Sequence, residues 1–218
     1  MRKVQFANGE YYHLFNRGVD KREIFLDQKD LDRFFQSMSE FNTLIPIGGI
    51  YAASFHKNNP LRNLVSKTER LVDFICYCLC PNHYHFVLQQ STNRGIEKFM
   101  HRLGLGYTNY FNKKYRRTGS LFQGTFKANH INSNEYLLYA STYVNLNYKV
   151  HQLTSEFFCS SWEDYIQPQR KDGFCNKDVI ISQFTNISEY KNFAENAVLV
   201  ARQKKELEKI IKMDLETT

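Results

Sequence analysis

The sequence has no apolar stretch that approaches the roughly 20 residues needed for a membrane-spanning helix. The first residues, Met1-Arg2-Lys3, are basic, but no long apolar run follows them, so we expect no signal peptide. The five cysteines include no Cys-x-x-Cys pair, and Cys76, Cys78 and Cys80 alternate along one predicted strand, where neighbours are poor disulfide partners. We therefore expect reduced cysteines, no membrane partner and a cytoplasmic protein.

Acidic residues are outnumbered in this chain. There are 22 Asp and Glu against 29 Lys and Arg, which gives a net charge of +7 and a pI near 9.1. This balance favours a polyanionic partner, nucleic acid first. With 218 residues, 42% apolar residues, 14 Tyr and 18 Phe, the chain can build one good core and a smaller appendage. We find no internal repeat.

Hydrophobic periodicity predicts an alternation of strands and helices. The predicted strands are 10–16, 71–80, 83–90 and 124–131, and the predicted helices are 28–45, 93–115, 133–148 and 197–215, with short helical pieces at 179–184 and 187–193. This order is typical of an α+β domain of ferredoxin-like or RRM-like kind, with an antiparallel sheet and helices mainly on one face. We expect residues 1–150 to form this domain, residues 46–68 to be an inserted loop or strand, and residues 151–218 to be a mostly helical C-terminal extension.

Local signals refine this prediction. Pro81 and Asn82 make a tight link, so the strands around them are either antiparallel neighbours or one strand bent at the proline. Gly104 and Gly106 weaken the second helix, which predicts a kink or break there. Strict alternation along strand 71–80 predicts that one face of the strand carries four buried side chains, those of Val72, Phe74, Cys76 and Cys78.

Two histidines occur two residues apart in the third predicted strand. Because side chains alternate along a strand, His83 and His85 project from the same face of the sheet. Two imidazoles side by side on a rigid strand are a ready pair of metal ligands. The alternative interpretation is a half-buried strand whose histidines only form hydrogen bonds.

The third predicted helix carries a row of tyrosines. Asn132 and Glu135 have the spacing of a capping box that opens this helix. Along it, the residues at three- and four-residue steps share one face. They are Tyr136, Tyr139, Tyr143 and Asn147.

These motifs together resemble a known family. His83-Tyr84-His85 resembles the histidine–hydrophobic–histidine signature of the HUH endonucleases, and its surroundings resemble the single-tyrosine transposases, particularly the REP-associated tyrosine transposases. The segments that carry the resemblance span about residues 10–195. They are 12–18 with 24–25, 77–85, 110–112, 119–124 and 143–147, with looser matches at 160–162 and 190–193.

The resemblance implies a metal-dependent endonuclease and strand transferase that cleaves single-stranded DNA at or near hairpins such as REP-like palindromes. The product would be a 5′-phosphotyrosine with a free 3′-hydroxyl. The family register assigns the nucleophile to Tyr143, with Tyr139 as the competing candidate and Tyr136 a weaker one. It assigns metal ligation to His83, His85 and Asn147. Mg²⁺ or Mn²⁺ suits such a mixture of imidazole, amide and phosphate oxygen.

The expected DNA contacts are cations near the motifs, with solvated turns as the alternative interpretation of Arg116 and Arg117. They are Arg17, Lys21, Arg22, Lys113, Lys114, Arg116, Arg117 and Lys127. The chain departs from the family pattern at Tyr148, where relatives usually have proline. It departs again at Thr125, where many carry arginine, which puts that DNA contact in doubt.

Other functions fit parts of the pattern. A hairpin-binding protein that has lost cleavage would share the fold, and so would a replication or mobilisation nuclease, although the sequence has no P-loop for a helicase. An RNA-recognition module has the same element order but an aromatic sheet motif that is not evident here. As a nuclease of this kind, the protein is expected to be nucleoid-associated and either a monomer or a homodimer.

Overall fold

The computed structural model describes residues 4–50, 70–153, 157–167 and 174–216, with side chains described as far as residue 206. In these ranges the chain forms one antiparallel sheet with strand order β4-β1-β3-β2-β5. The strands are β1 (Tyr11–Arg17), β2 (Val72–Cys80), β3 (His83–Gln90), β4 (Lys127–Ile131) and β5 (Cys159–Ser160). The predicted α+β class with an antiparallel sheet is confirmed, and β2 and β3 are neighbours joined at Pro81 and Asn82.

The described ranges contain seven α-helices. They are α1 (Gln28–Glu40), α2 (Gly95–Lys114), α3 (Asn134–Asn145), α4 (Asn147–Val150), α5 (Trp162–Ile166), α6 (Asp178–Ile181) and α7 (Ile187–Glu216). None of the helices described here is both long and apolar enough to cross a membrane. The expected insertion at 46–68 falls mostly on residues 51–69, which lie outside the described ranges.

Helices cover both faces of the sheet rather than mainly one. On the first face, α1 and α2 pack with Phe34 and Phe99 against Phe74 and Phe86. On the second face, α3 and the C-terminal helices form a separate cluster. The physical reason is that β2 and β3 bury residues on both sides, so a single layer of helices would leave half of their apolar surface in water.

A β-bulge in β2 divides its side chains differently from strict alternation. The pairing register with β3 shifts between Phe74 and Cys76. Val72 and Phe74 therefore belong to the first core cluster, whereas Cys76 and Cys78 belong to the second. The predicted sharing of one face by these four residues is wrong, because the bulge inserts one extra residue between the two pairs.

Helix boundaries show further differences from the pattern. Helix α2 runs without interruption from Gly95 to Lys114, so the predicted break at Gly104 and Gly106 does not occur. Gly106 serves packing, because a Cβ there would lie 2.5 Å from the ring of Phe41. The cap of α3 is Ser133, whose side chain accepts a hydrogen bond from the Tyr136 amide, rather than Asn132. The segments 187–193 and 197–215, predicted as separate pieces, form the single helix α7.

The first layer contains a buried carboxylate. Asp30, which lies in the first turn of α1, has a fully buried side chain. It accepts hydrogen bonds from the Leu26 amide at 2.9 Å and the Tyr115 hydroxyl at 2.7 Å, and it pairs with the Lys114 ammonium at 2.7 Å. Desolvation alone would lower the pKa of Lys114, but hydrogen bonds to Asp27 and Asp30 more than offset it and raise that pKa. The network ties the end of α2 to the start of α1.

Replacing this carboxylate tests the network. Asp30→Asn keeps the size of the side chain but removes the charge opposite Lys114, so we expect the free energy of unfolding to fall by about 3 kcal/mol. Urea denaturation measures the change. Asp32→Asn, an exposed substitution on the same helix, is the control and should stay within about 0.5 kcal/mol of the unsubstituted chain. Equal effects of the two substitutions would contradict the role assigned to Asp30.

Candidate active site

The histidine pair lies at the centre of the sheet, on its second face. His83 and His85 belong to β3, which is paired with β1 on one side and β2 on the other. In the β1–β3 register, Phe15 is opposite His85 and His13 is opposite Val87. Because side chains alternate, His13 projects from the same face as the histidine pair and lies diagonally beside His85.

The third histidine was missed by the sequence analysis as a site residue. His13 Nε2 lies 2.9 Å from His85 Nδ1, and the two rings are stacked with centroids 5.1 Å apart. Both side chains are buried. The segment containing His13 was recognised as a motif, but only the strand register brings it to His85.

Helix α3 brings one tyrosine to these histidines. The Tyr143 ring meets His85 edge-on at 5.8 Å and His13 at 6.1 Å between centroids. The competing Tyr139 is 56% exposed and contacts Phe193 of α7. Tyr136 is also exposed, near the start of α3. Of the three candidate tyrosines, only Tyr143 contacts the histidines in the described part of the chain.

Asn147 reaches the same place from the next short helix. The predicted continuous helix 133–148 is interrupted at Leu146, whose φ of −110° and ψ of 19° separate α3 from α4. Asn147 is fully buried, and its Oδ1 lies 2.9 Å from His83 Nε2. Its Nδ2 atom has no hydrogen-bond partner among the described residues. The other nitrogen of His83, Nδ1, lies 2.6 Å from the Asn82 oxygen.

Burial keeps the imidazoles neutral. Desolvation lowers the pKa of His13 to about 4 and holds that of His85 well below its usual value, with the neighbouring histidines adding to the effect on His85. The pKa of His83 is lowered first by desolvation, while its hydrogen bond to Asn147 acts in the opposite direction. Neutral imidazoles carry a free nitrogen lone pair, which is the form that ligates metal ions.

The tyrosine is affected by the same desolvation. Burial raises the pKa of Tyr143, and the neighbouring Asn147 amide opposes the rise. Its hydroxyl is therefore protonated at neutral pH in the free protein, and forming a phenolate requires a partner that stabilises the negative charge.

An open cleft of about 440 Å³ gives access to the site. Three of the predicted DNA-contacting cations line it, namely Arg17, Lys21 and Lys127. The Arg17 Nε atom donates to the Gln123 side chain at 2.6 Å, so Gln123 belongs to the same rim. The cleft that the two histidines line is therefore positively charged.

The other predicted cations lie elsewhere. The structure places Lys114 in the ion pair with Asp27 and Asp30. Arg22 bonds to the Val19 carbonyl and pairs with Asp20, and Arg117 lies over the Phe111 ring and bonds to Asn112. Lys113 and Arg116 are exposed and do not line the cleft.

A fourth imidazole borders the cleft. His151 follows α4, and its ring lies 5.3 Å from that of His83. Its Nδ1 atom accepts a hydrogen bond from Lys205 of α7 at 2.7 Å. Desolvation, followed by the charge of Lys205, lowers the pKa of His151 to about 4. The C-terminal helix thus contacts the same site.

The helix break before Asn147 is anchored from two sides. Asn145 is fully buried, accepts a hydrogen bond from the Ser161 hydroxyl and donates to the Tyr190 hydroxyl at 3.1 Å. Ser161 in turn accepts from the Tyr77 amide of β2 at 2.9 Å. The two loosely matching segments of the sequence therefore meet at the end of α3, between Tyr143 and Asn147.

Asn145→Ala removes this anchor. We expect the free energy of unfolding to fall by about 2 kcal/mol, because the buried hydroxyls of Ser161 and Tyr190 each lose their hydrogen bond to Asn145. Thermal or urea denaturation measures the loss. Asn134→Ala is the control. Asn134 lies on the same helix as Asn145 and forms an exposed hydrogen bond with Gln183, so its loss should change the free energy of unfolding little. If Asn145→Ala leaves the free energy of unfolding unchanged, the network does not hold the end of α3.

Part of the sequence matches a known protein family. Residues 59–147 match the family model described as "Transposase IS200 like". The matched segment contains both histidines of the pair, Tyr143 and Asn147, whereas His13 lies outside it. A search of curated proteins finds no match.

Two solved structures show weaker similarity. One is a REP-associated tyrosine transposase bound to a REP hairpin, with 8% identity, a TM-score of 0.46 and coverage of 76% of this chain and 84% of that one. The other is a candidate transposase from Deinococcus radiodurans R1, with 11% identity, a TM-score of 0.37 and coverage of 63% of this chain and 91% of that one. The sequence match confirms the predicted resemblance: residues 59–147 of this chain are similar to the IS200-like transposases.

Proposed function

We propose that the protein is a metal-dependent endonuclease and strand transferase that acts on single-stranded DNA through a 5′-phosphotyrosine. The observation that carries the proposal is the convergence of Tyr143 on His85 and of the buried Asn147 on His83, at a cleft that Tyr143 and both histidines line. Tyr143 is the nucleophile in this proposal. The relationship to the IS200-like transposases supports the transposase-like chemistry.

The donor set suits a small divalent cation. Among the described residues, no three His, Cys, Asp or Glu side chains form a group that could hold a metal, so a site here needs the Asn147 amide oxygen beside the imidazoles of His83 and His85. The 2.9 Å between His83 Nε2 and Asn147 Oδ1 matches two adjacent ligands of an octahedral ion with bonds of about 2.1 Å. Mg²⁺ and Mn²⁺ fit this mixture, and Mn²⁺ tolerates imidazole better.

The cleavage step follows from the residues present. The Tyr143 hydroxyl oxygen attacks the phosphorus, the phenolic proton is lost to solvent, the P–O3′ bond breaks, and the leaving oxygen takes up a proton to become a 3′-hydroxyl. When bound, a divalent cation supplies charge stabilisation at the scissile phosphate. Because the phosphotyrosine conserves a phosphodiester bond, attack by another 3′-hydroxyl rejoins DNA and restores the tyrosine.

The cleft rim supplies the DNA contacts in this proposal. Arg17, Lys21 and Lys127 line the same cleft as the histidines, and such cations provide affinity by neutralising phosphates. The preference for a strand beside a hairpin is inferred from the resemblance to REP-associated relatives. Unpaired bases can stack on Phe15, which is partly exposed on the cleft wall.

Covalent capture tests the nucleophile. The protein is incubated with Mn²⁺ and 3′-labelled hairpin oligonucleotides taken from the flanks of its own gene, and a denaturing gel shows whether label travels with protein. We expect an adduct in the unsubstituted chain, its loss in Tyr143→Phe and its loss with EDTA. Tyr139→Phe, which changes a tyrosine one turn earlier, is the matched control and should retain the adduct.

The outcomes separate the alternatives. An adduct that survives in Tyr143→Phe but not in Tyr139→Phe would move the nucleophile. Tight hairpin binding without any adduct, across several flanking sequences, would favour a binding protein that has lost cleavage.

The salt dependence of binding tests the rim. Lys127→Ala should weaken single-stranded DNA binding on every sequence and reduce the slope of log K against log salt by about 1. Lys98→Ala, an exposed change near the start of α2, should alter neither quantity. Fluorescence anisotropy over a salt series measures both variants. If both variants behave alike, DNA does not follow the proposed rim.

A further inference from the structure

His13 has no role in the cleavage step described above, yet it directly contacts His85, a proposed metal ligand. Its Nε2 atom lies 2.9 Å from Nδ1 of His85, in the interior of the sheet face. Phe15 contacts both rings: its centroid lies 5.2 Å from that of His13, with the planes tilted by 33°, and it stacks on His85 at 5.4 Å. The edge of Tyr143 completes the enclosure. The relative orientation of the two imidazoles is therefore fixed by packing.

One proton lies between these two nitrogens, and its position decides what His85 can do. If His13 Nε2 carries the proton, His85 Nδ1 accepts the hydrogen bond, and neutral His85 must carry its own proton on Nε2. That nitrogen then has no lone pair for a cation. If His85 Nδ1 carries the proton, it donates a hydrogen bond to His13 Nε2, and the His85 Nε2 lone pair is available.

Nothing else in the described part of the chain hydrogen-bonds to His85. Its only hydrogen bond is the one to His13, so His85 Nε2 is left without a protein partner. The other members of the site are held differently: Asn82 contacts His83 Nδ1 and leaves His83 Nε2 directed at Asn147. In each histidine of the pair, Nδ1 therefore contacts a neighbouring side chain, and Nε2 is the nitrogen that remains for the proposed metal site.

We propose that His13 is the positioning residue whose Nε2 accepts a hydrogen bond from the protonated Nδ1 of His85 and thereby keeps the His85 Nε2 lone pair available for the divalent cation. This inference rests on the proposed function, because it assigns His85 as a ligand. Partners of this kind orient ligating histidines in metal sites generally, and their loss costs 10- to 100-fold in metal affinity. Here the partner is a buried imidazole supplied by β1, outside the segment 59–147 that matches the transposase family.

The tautomer of His85 is the first test, and it needs neither metal nor DNA. Two-dimensional ¹H–¹⁵N spectra of the metal-free protein, labelled with ¹⁵N in the histidine rings, distinguish a protonated from an unprotonated ring nitrogen. We expect His85 to be protonated on Nδ1 and unprotonated on Nε2. In His13→Phe, which keeps a ring but has no acceptor, we expect this preference to be lost. A His85 protonated on Nε2 in the unsubstituted protein would overturn the inference without any variant.

Metal affinity is the second test, measured as Mn²⁺ binding by titration calorimetry without DNA. We expect His13→Phe to weaken binding 10- to 100-fold. His13→Gln, whose amide oxygen can accept from His85 Nδ1, should recover most of that loss. His130→Phe is the control, because His130 lies on β4 in an exposed pair with Glu10 and does not contact His85. Thermal unfolding of each variant shows whether a change in binding reflects loss of the fold.

The role of His13 and the proposed nuclease function can be refuted separately. If His85 has the expected tautomer and Mn²⁺ binds, but no covalent adduct forms on DNA, the nuclease proposal is wrong and the role of His13 stands. If the adduct forms while His13→Phe binds Mn²⁺ as tightly as the unsubstituted chain, the nuclease proposal stands and His13 is only a packing residue.

Discussion

Strand β3 lies between two antiparallel neighbours, and apolar side chains are buried on both of its faces. Phe86 and Leu88 face α1 and α2, whereas Val87 faces the cluster formed with α3. A strand buried on both sides requires a second layer of helices, since exposed apolar surface costs roughly 25 cal/mol per Å². The layer that covers the histidine face is the one that carries Tyr143. The packing requirement of the sheet therefore brings the tyrosine helix to the imidazoles.

The α+β class, the antiparallel link at Pro81 and most strand positions were predictable because they depend on local signals, namely alternation and a short connection. The second helical layer was not predictable in the same way. It depends on which faces of β2 are apolar, and the bulge between Phe74 and Cys76 reverses the alternation that the sequence suggests. A bulge leaves no clear mark in a run of buried residues.

The candidate site shows the same division between local and non-local information. His83 and His85 are neighbours in sequence, so their shared face follows from strand geometry alone. Tyr143 and Asn147 came from a motif, and the structure brings both to the histidines through an interrupted helix rather than a continuous one. His13 reaches the site through strand register, and His151, which follows α4, contacts Lys205 of α7; both are long-range features. Lys114 was predicted to contact DNA because it lies in a basic segment, but its ion pairs with Asp27 and Asp30 show that its role is structural.

Desolvation acts on the histidines and on the tyrosine in opposite chemical senses. For an imidazole the charged form is the protonated one, so burial favours the neutral ring and keeps lone pairs available. For a phenol the charged form is the deprotonated one, so burial keeps Tyr143 protonated and a poor nucleophile. In the proposed mechanism one environment thus prepares the metal ligands while leaving the nucleophile inactive. Tyr143 then becomes reactive only when positive charge is added beside it, and the same neutral imidazoles provide the place for that charge.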